Sequence, residues 1–559
     1  MNDDHLDDGH RAYTEYEQHP SKFESSKIEY EDSKSSQMKV ESNDLENPRH
    51  PDAGTENLQE GTQRGLKTRH IQMIALGGCI GTGLFLNMGM NVATAGPAGA
   101  FIAYIVIGFM VYCIMTSLGE MAAFIPVSGS FNHYATRFVD PALGFALGWN
   151  YWFSSVTIAT ELAASATIIK WWSPVMPDAA WSTIFLVLII ALNLVNVKIY
   201  GELEYYFAMI KILIVIVFII IAILVSAGGV GNQGPIGFKY WNNPGAFAGG
   251  GVGTVSVLLS AGFSYQGTEV VGITAGEAKN PTKAVPRAIR NTFWRILVFY
   301  VATIFLIGLC VPADDPRLAN DDGSPSTSAM TLIFELAGIE AGAHVINAIV
   351  LTSVLSAANS SVYTTARTLL GLARDGNGPA ILAQTNRYGA PWIAVLLSSI
   401  CGFAACFASI YSASVAFSWF LAITTVSGFI SWWGIGFVHL RFRKAYVRQG
   451  RDVNELPYKS PWYPFSDLFS TILCVLIILG QGYTAFSPEF VFETFAANYV
   501  GIIPAPILYV CYKLIMRSKI VPLEEADFET GRVTMYEIED ADEKDRNRPW
   551  WRRALEYIL

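Results

Sequence analysis

Charge is what this chain most lacks. Only 15% of its 559 residues are Asp, Glu, Lys or Arg, and none falls between Ile71 and Leu118 or between Tyr388 and Val438. Each gap is long enough for two bilayer crossings of about 20 residues. With 52% apolar residues, this places the chain among membrane proteins and excludes a set of soluble domains. Cysteine is also sparse. All seven (Cys79, Cys113, Cys310, Cys401, Cys406, Cys474 and Cys511) sit in apolar segments, with neither metal-ligand spacing nor a disulfide framework. The N-terminus has no apolar core of a cleavable signal, so the first hydrophobic span is expected to drive insertion. No phosphate-cradling loop, paired-His zinc motif or nucleophile elbow is present, which argues against an enzyme, a resident metal or a cofactor.

The net charge of −9 is a property of the ends. Residues 1–63 carry 16 acidic and 6 basic side chains and residues 517–559 carry 11 and 8, leaving the middle at +4. The acidity therefore points to solvated tails, not to a nucleic-acid partner. Residues 1–66 are polar and read as a disordered tail, 67–516 as the membrane domain and 517–559 as a second tail. Lys22, Lys27, Lys34 and Lys39, set among Ser and acidic residues, suit regulatory ubiquitination, through ligase adaptors, or phosphorylation.

The middle reads as an all-α membrane protein of twelve spans, roughly 71–95, 98–119, 142–170, 180–197, 205–227, 252–276, 294–313, 341–367, 390–410, 414–438, 468–487 and 493–515. With both termini cytoplasmic, nineteen Lys and Arg fall in inside loops and only Lys170, Lys239 and Arg317 outside, a strong positive-inside bias.

Two spans carry breaks. Gly77-Gly78-Cys79-Ile80-Gly81-Thr82-Gly83 interrupts the first, and Gly262-Phe263-Ser264-Tyr265-Gln266-Gly267-Thr268 the sixth. Unwound backbone at membrane depth persists only where it faces protein or a wet cavity. Paired breaks in comparable halves point to the substrate site of a secondary transporter. The half-helix that starts at Gly81-Thr82-Gly83 directs a positive dipole end inward, a fit for a carboxylate. The plainer reading is close helix packing through the Gly77/Gly81 small-xxx-small pair.

Three ionisable residues lie at membrane depth, where they are costly unless they face the interior and act. Glu161 in span three suits a cationic side chain or a proton. Lys211 in span five suits the free carbonyls of the first break, in the place of a sodium ion, so that its deprotonation couples transport to protons. Glu269 stands beside the second break. The plainer alternative is mutual pairing in a buried Glu–Lys bridge. Ser356, Asn359, Ser360 and Tyr363 in span eight, and Ser418, Trp419 and Thr424 in span ten, can flank the site. Glu120 and Glu277, near span ends, read as structural, and His344 as packing.

The stretches "LKTRHIQMIALGGCIGTGLF", "SLGEMAAFIPVSGSF", "SYQGTEVVGITAGEAKNPTKAVPRAI" and "SAANSSVYTTARTLLGLA" resemble the fungal amino-acid permeases of the amino acid–polyamine–organocation superfamily. The resemblance covers about residues 66–460. It implies a LeuT-type fold, ten helices in a 5+5 inverted repeat plus two extra C-terminal helices, and proton-coupled amino-acid uptake at the plasma membrane. It implies that Gly81, Thr82 and Gly83, with Ile80 beside them, bind the substrate carboxylate. The backbone around Phe263, Ser264 and Tyr265 would hold the ammonium, with Phe263 an aromatic gate, and Thr157 joins the set one turn before Glu161. "FSYQGTEVVGITAGEAKNP" is most similar to the lysine and arginine permeases, whereas "GSFNHYATRFVDPALGFALGWNY" is more similar to broad-range and proline permeases. The expectation is a proton/amino-acid symporter favouring basic amino acids. A broad-range or neutral permease and a non-transporting nutrient sensor on the same fold stay open.

Overall fold

The computed structural model describes residues 66, 68–127, 129–173, 175–195, 197–278, 281–318, 328–406, 413–486, 489–533 and 549. The N-terminal lysines and the end of the C-terminal tail lie outside the described residues.

Among the described residues the chain is helical, with no strand. Six helices are long and apolar enough to cross a bilayer: Asn87–Phe124, Pro141–Ile169, Ile199–Ser226, Pro281–Cys310, His344–Arg374 and Phe417–Arg448. A bent pair, Phe492–Ile502 with Pro504–Met516, makes a seventh, and Asp178–Asn193, Trp392–Cys406 and Phe465–Gly480 are shorter apolar helices.

The two expected interruptions are helix breaks. Helix α1 (Thr68–Cys79) stops at Ile80-Gly81, and α2 (Thr82–Phe85) restarts after a Gly81 whose φ and ψ are −143° and −142°. Leu86 leads directly into α3 (Asn87–Phe124), which turns sharply at Gly96, where φ is +74°. Only glycine takes that φ without strain, and Pro97 is preset to begin the next helix. The turn is covered by Ala246 and Ala248, which exchange backbone hydrogen bonds of 2.9 and 3.0 Å with Ala98 and Ala95. Helix α9 (Gly250–Tyr265) ends in extended Gln266 and left-handed Gly267, φ +95°, before the short α10 (Val270–Thr274).

The remaining helices in order are α4 (Ser130–Phe138), α5 (Pro141–Phe153), α6 (Thr157–Ile169), α7 (Asp178–Asn193), α8 (Val197–Ser226), α11 (Pro281–Cys310), α12 (Ala329–Leu336), α13 (Glu340–Arg374), α14 (Trp392–Ile400), α15 (Ala413–Arg448), α16 (Phe465–Gly480), α17 (Phe492–Tyr499) and α18 (Pro504–Met516). A 3₁₀ turn at Ser154–Val156 joins α5 to α6. α3 lies against α9 and α11, α1 against α8, and α13 against α6, so both broken helices are enclosed by continuous ones.

Several boundaries differ from the sequence reading. α8 begins at Val197 instead of 205, which brings Glu204 inside the helix. α13 and α15 run on to Arg374 and Arg448, past the expected ends at 367 and 438. Ion pairs anchor α13 where the extension starts and α15 within it. Arg367 Nε lies 3.2 Å from Glu277 Oε1, and Arg443 pairs with Glu120 through Nε and, at 2.7 Å, Nη2. The structural reading of Glu120 and Glu277 agrees with these contacts. α4 and α12 occupy stretches read as loops.

The segment after α18 is a docked strap up to residue 533, not a solvated tail. Phe528 is buried in a ring cluster, with centroids 5.1 Å from Phe138, 5.2 Å from Tyr446 and 5.5 Å from Phe442. Val521 N donates to Val139 O (2.9 Å), Val533 N to Phe124 O (3.2 Å), and Arg137 Nη2 meets Asp527 Oδ2 at 2.9 Å. Burial opposes the charge of Asp527, but hydrogen bonds from Thr530 and Glu529 and the Arg137 guanidinium outweigh it and hold the carboxyl down at about 2.

Candidate functional site

The two breaks face each other across a small cavity of about 60 Å³, closed by α6, α13 and Gly428 of α15. Gly83 lets them approach, because a Cβ there would stand 2.6 Å from the Ser264 Cα. Where α2 starts, its first N–H groups have no intrahelical acceptor.

Glu161 comes in from α6. Its Oε1 accepts from Thr82 Oγ1 at 2.9 Å, while Oε2 is buried without a hydrogen-bond partner. Four of the cavity hydroxyls have already spent their protons. Ser154 donates to Tyr151 O (2.5 Å), Ser361 to Ala357 O (3.0 Å), Thr364 to Ser360 O (3.0 Å) and Thr365 to Ser361 O (2.7 Å). A hydroxyl has one proton and two lone pairs, so these four face the cavity as acceptors. A wall of acceptors with one unmatched carboxylate oxygen is completed by a group that only donates, such as an ammonium or guanidinium.

Glu269 is satisfied differently. It accepts from Gly267 N (3.1 and 3.2 Å), Tyr151 OH (3.0 Å) and Trp432 Nε1 (3.2 Å), and so ties the second break to α5 and α15. No Glu–Lys bridge forms there among the described residues. Lys211, 1% exposed, donates from Nζ to Gly77 O at 2.5 Å, at the end of α1.

Of the candidate residues, Gly81, Gly83, Thr157, Glu161, Phe263, Glu269 and Ser360 line the cavity. The others stand behind it. Thr82 acts through Glu161, and Ile80 is buried in the core. Ser264 Oγ lies between Gly83 O (3.1 Å) and Tyr104 OH (2.9 Å), and Tyr265 stacks on Tyr300 at 4.9 Å. Asn359 accepts from Asn193 Nδ2 at 2.8 Å, and Lys211 reaches α1 behind the break. The Thr424 carbonyl receives Gln266 Nε2 (3.3 Å), and Trp419 is half-buried on α15, away from the cavity wall. His344 accepts from Trp171 Nε1 at 3.0 Å.

Sequence reasoning missed Gln266, Ser361, Thr364 and Thr365. The last three share a face with Ser360 at helical spacing, a polar stripe that a periodicity count detects. It also missed two buried charge clusters. Glu204 on α8 accepts from Ser356 Oγ and from Asn359 Nδ2 (3.4 Å). His439 Nδ1 lies 2.8 Å from Asp467 Oδ2, and Nε2 lies 3.3 Å from Glu120 Oε1.

Comparison with known proteins accounts for this architecture. The family pattern "Amino acid permease" matches residues 70–524. The chain is 45% identical to the lysine-specific permease LysP of Escherichia coli over 84% of this chain and 96% of that one. It is 41% identical to the basic amino-acid permease of Saccharomyces cerevisiae, covering 89% and 88%. It is also 39% identical to the dicarboxylic amino acid permease of that yeast, covering 89% and 83%, so identity alone does not choose the sign of the substrate's side chain. A family match across most of the chain, joined to relatives this similar over nearly their whole length, makes it a multi-pass membrane protein of the amino acid permease family.

Proposed function

We infer that the protein is a proton-coupled permease that imports basic amino acids, lysine and arginine, across the plasma membrane. The observation that carries the basic specificity is the buried, unpartnered Glu161 Oε2 in a cavity where four hydroxyls, those of Ser154, Ser361, Thr364 and Thr365, are left as acceptors. A lysine or arginine side chain donates and does not accept, so it completes this wall. An acidic side chain would meet a carboxylate and lone pairs. The names of the relatives at 45% and 41% identity, a lysine-specific and a basic amino-acid permease, agree with this reading.

The substrate's carboxylate is assigned to the backbone at Gly81, Thr82 and Gly83, and its ammonium to the end of α9 around Phe263. Lys211 is assigned the coupling proton: its contact with Gly77 O holds α1, and loss of the proton releases it. Glu269 is the second candidate for proton coupling. The cavity is tight enough that its walls must part to admit a lysine, which suits rocking of a helix bundle around a fixed site.

The fold proposed is twelve spans in a LeuT-type 5+5 inverted repeat with two added helices, the breaks at α1/α2 and α9/α10 being the equivalent members of the two repeats. The basic ends of α13 and α15, with the strap that pairs Arg448 to Glu524 and Arg451 to Glu529, share one face. That face is assigned to the cytoplasm, with both termini, and residues 1–66 to a tail that ubiquitin ligase adaptors can address. The role is transport, not catalysis.

The test is a competition panel in proteoliposomes, with radiolabelled lysine driven by an inward proton gradient at two pH values. Lysine and arginine should compete best, and uptake should fall when the gradient is collapsed. Better competition by neutral or acidic amino acids would remove the basic assignment, and the absence of accumulation would remove transport.

A further inference from the structure

Glu204 has no part in the site described above, yet it is fully buried in a membrane helix. A carboxylate at that depth is costly unless it is engaged. Its partners lie on α13: Ser356 Oγ donates to Oε1, and Asn359 Nδ2 to Oε2 at 3.4 Å. Its carboxyl also presses on Gly77, where a Cβ would stand 3.1 Å from the carboxyl carbon and closer still to Oε1. Gly77 is the residue whose carbonyl takes the Lys211 ammonium. Two side chains of α8, seven residues apart and so on one face, therefore grip a single residue at the end of α1. Lysine on a helix leans toward the N-terminus, which tips Lys211 toward Glu204.

We propose that Glu204 is the positioning residue of Lys211: an anion anchored to α13 that holds the ammonium against the Gly77 carbonyl and so ties the protonation of α8 to the relative placement of α1 and α13. This rests on the proton-coupled reading of Lys211. The other titratable groups that face Lys211 are Glu161 from α6 and the Cys79 thiol from α1, and Tyr200, on α8 itself, faces Glu204. Tyr200 is itself fastened to α13, donating to Ser360 Oγ at 3.3 Å and stacking on Tyr363, and so it buttresses Glu204, whereas no hydrogen bond joins Glu161 or Cys79 to α13 among the described residues. The assignment explains why α13 carries Ser356 and Asn359 on a face that the substrate cavity does not reach, and why α1 has a glycine opposite.

The experiment uses the full chain in proteoliposomes of phosphatidylcholine and phosphatidylethanolamine. It measures radiolabelled lysine uptake against external pH, together with lysine counterflow, which needs no net proton movement. In Glu204→Gln the carboxamide keeps the volume and loses the charge. Counterflow should stay within about threefold of the unmodified protein. The alkaline limb of uptake should move down by about one pH unit, the size of effect a neighbouring opposite charge commands. Ser356→Ala loosens the anchor without touching the charge, folds independently of the Glu204 result, and should move the limb the same way by less. Superimposable pH profiles in either correctly inserted variant overturn the proposal, as does a proportional loss of counterflow and uptake at every pH, the mark of a packing role. If the unmodified protein itself shows no proton-driven lysine uptake, the functional reading fails and Glu204 is not at issue.

Discussion

Replacing Glu161 by Gln probes the substrate site with little disturbance of its shape. Gln keeps an oxygen where Oε1 accepts from Thr82 at 2.9 Å, and it turns the unpartnered Oε2 into an amide donor. The side chain is 3% exposed, so water does little to screen the change. A hydrogen bond to a charged group contributes about 1.5–3 kcal/mol, and leaving a cation opposite a donor costs at least that much. At about 1.4 kcal/mol per tenfold, KM for lysine should rise by about 10- to 150-fold. The assay is initial uptake of radiolabelled lysine, normalised to surface protein by biotinylation, with a neutral amino acid in parallel. The neutral substrate should lose less than lysine. A lysine KM within twofold of the unmodified value would refute direct engagement. If the pH dependence of uptake vanished while KM stayed put, Glu161 would be a proton carrier and not a substrate ligand.

The remaining predictions concern approach, burial and the strap. Gly83→Ala places a methyl 2.6 Å from the Ser264 Cα and forces the two breaks apart, at a cost of about 1–3 kcal/mol, so lysine uptake should drop about 5- to 150-fold while the protein still reaches the surface; undiminished uptake would show that the breaks need not touch. Arg443→Met takes the guanidinium from the fully buried Glu120 and leaves it only His439 and Ser460 N; breaking a buried pair outright costs about 3–5 kcal/mol, so with these partners left the loss is smaller but the detergent-solubilised protein should still melt below the unmodified one, and an unchanged Tm would refute the buried pairing. Phe528→Ala removes the ring that seats the strap, and hydrogen exchange should report lost protection for residues 519–533 with transport helices unaffected; retained protection would mean the polar contacts suffice. Asp527 is held at about 2, below the unfolded value near 3.9, so its contribution to docking is present above pH ~4 and lost as pH falls toward 2. Strap protection that declined already between pH 7 and 5 would contradict that.

The breaks were legible because their cause is local. Gly81 and Gly267 sit in glycine-bearing stretches of runs that otherwise satisfy their own backbone, and glycine frees the chain to leave the helix there. Lys211 was legible for a related reason, since a lone ammonium in an apolar helix has to find oxygen somewhere. Glu204 was missed because span five was started at 205, just past it, whereas the helix begins at Val197. The spacing of seven to Lys211 was the available clue. His439 and Asp467 lie 28 residues apart near the ends of two spans, and nothing in either segment announces that they meet. The strap was hidden by its acidity, with Phe528 the lone ring among charged neighbours as the only signal.

By itself the sequence determined that this chain lives in a bilayer, where it unwinds, and which ionisable groups are too deep to be idle. Those are costs that one residue or one segment bears against lipid, whatever surrounds it. Tertiary structure alone decided which oxygen of Glu161 is left open, that Lys211 closes on Gly77, and that Glu204 joins α8 to α13. Each of these is a choice of partner across 79, 134 or 152 positions of chain, set by which helices pack side by side.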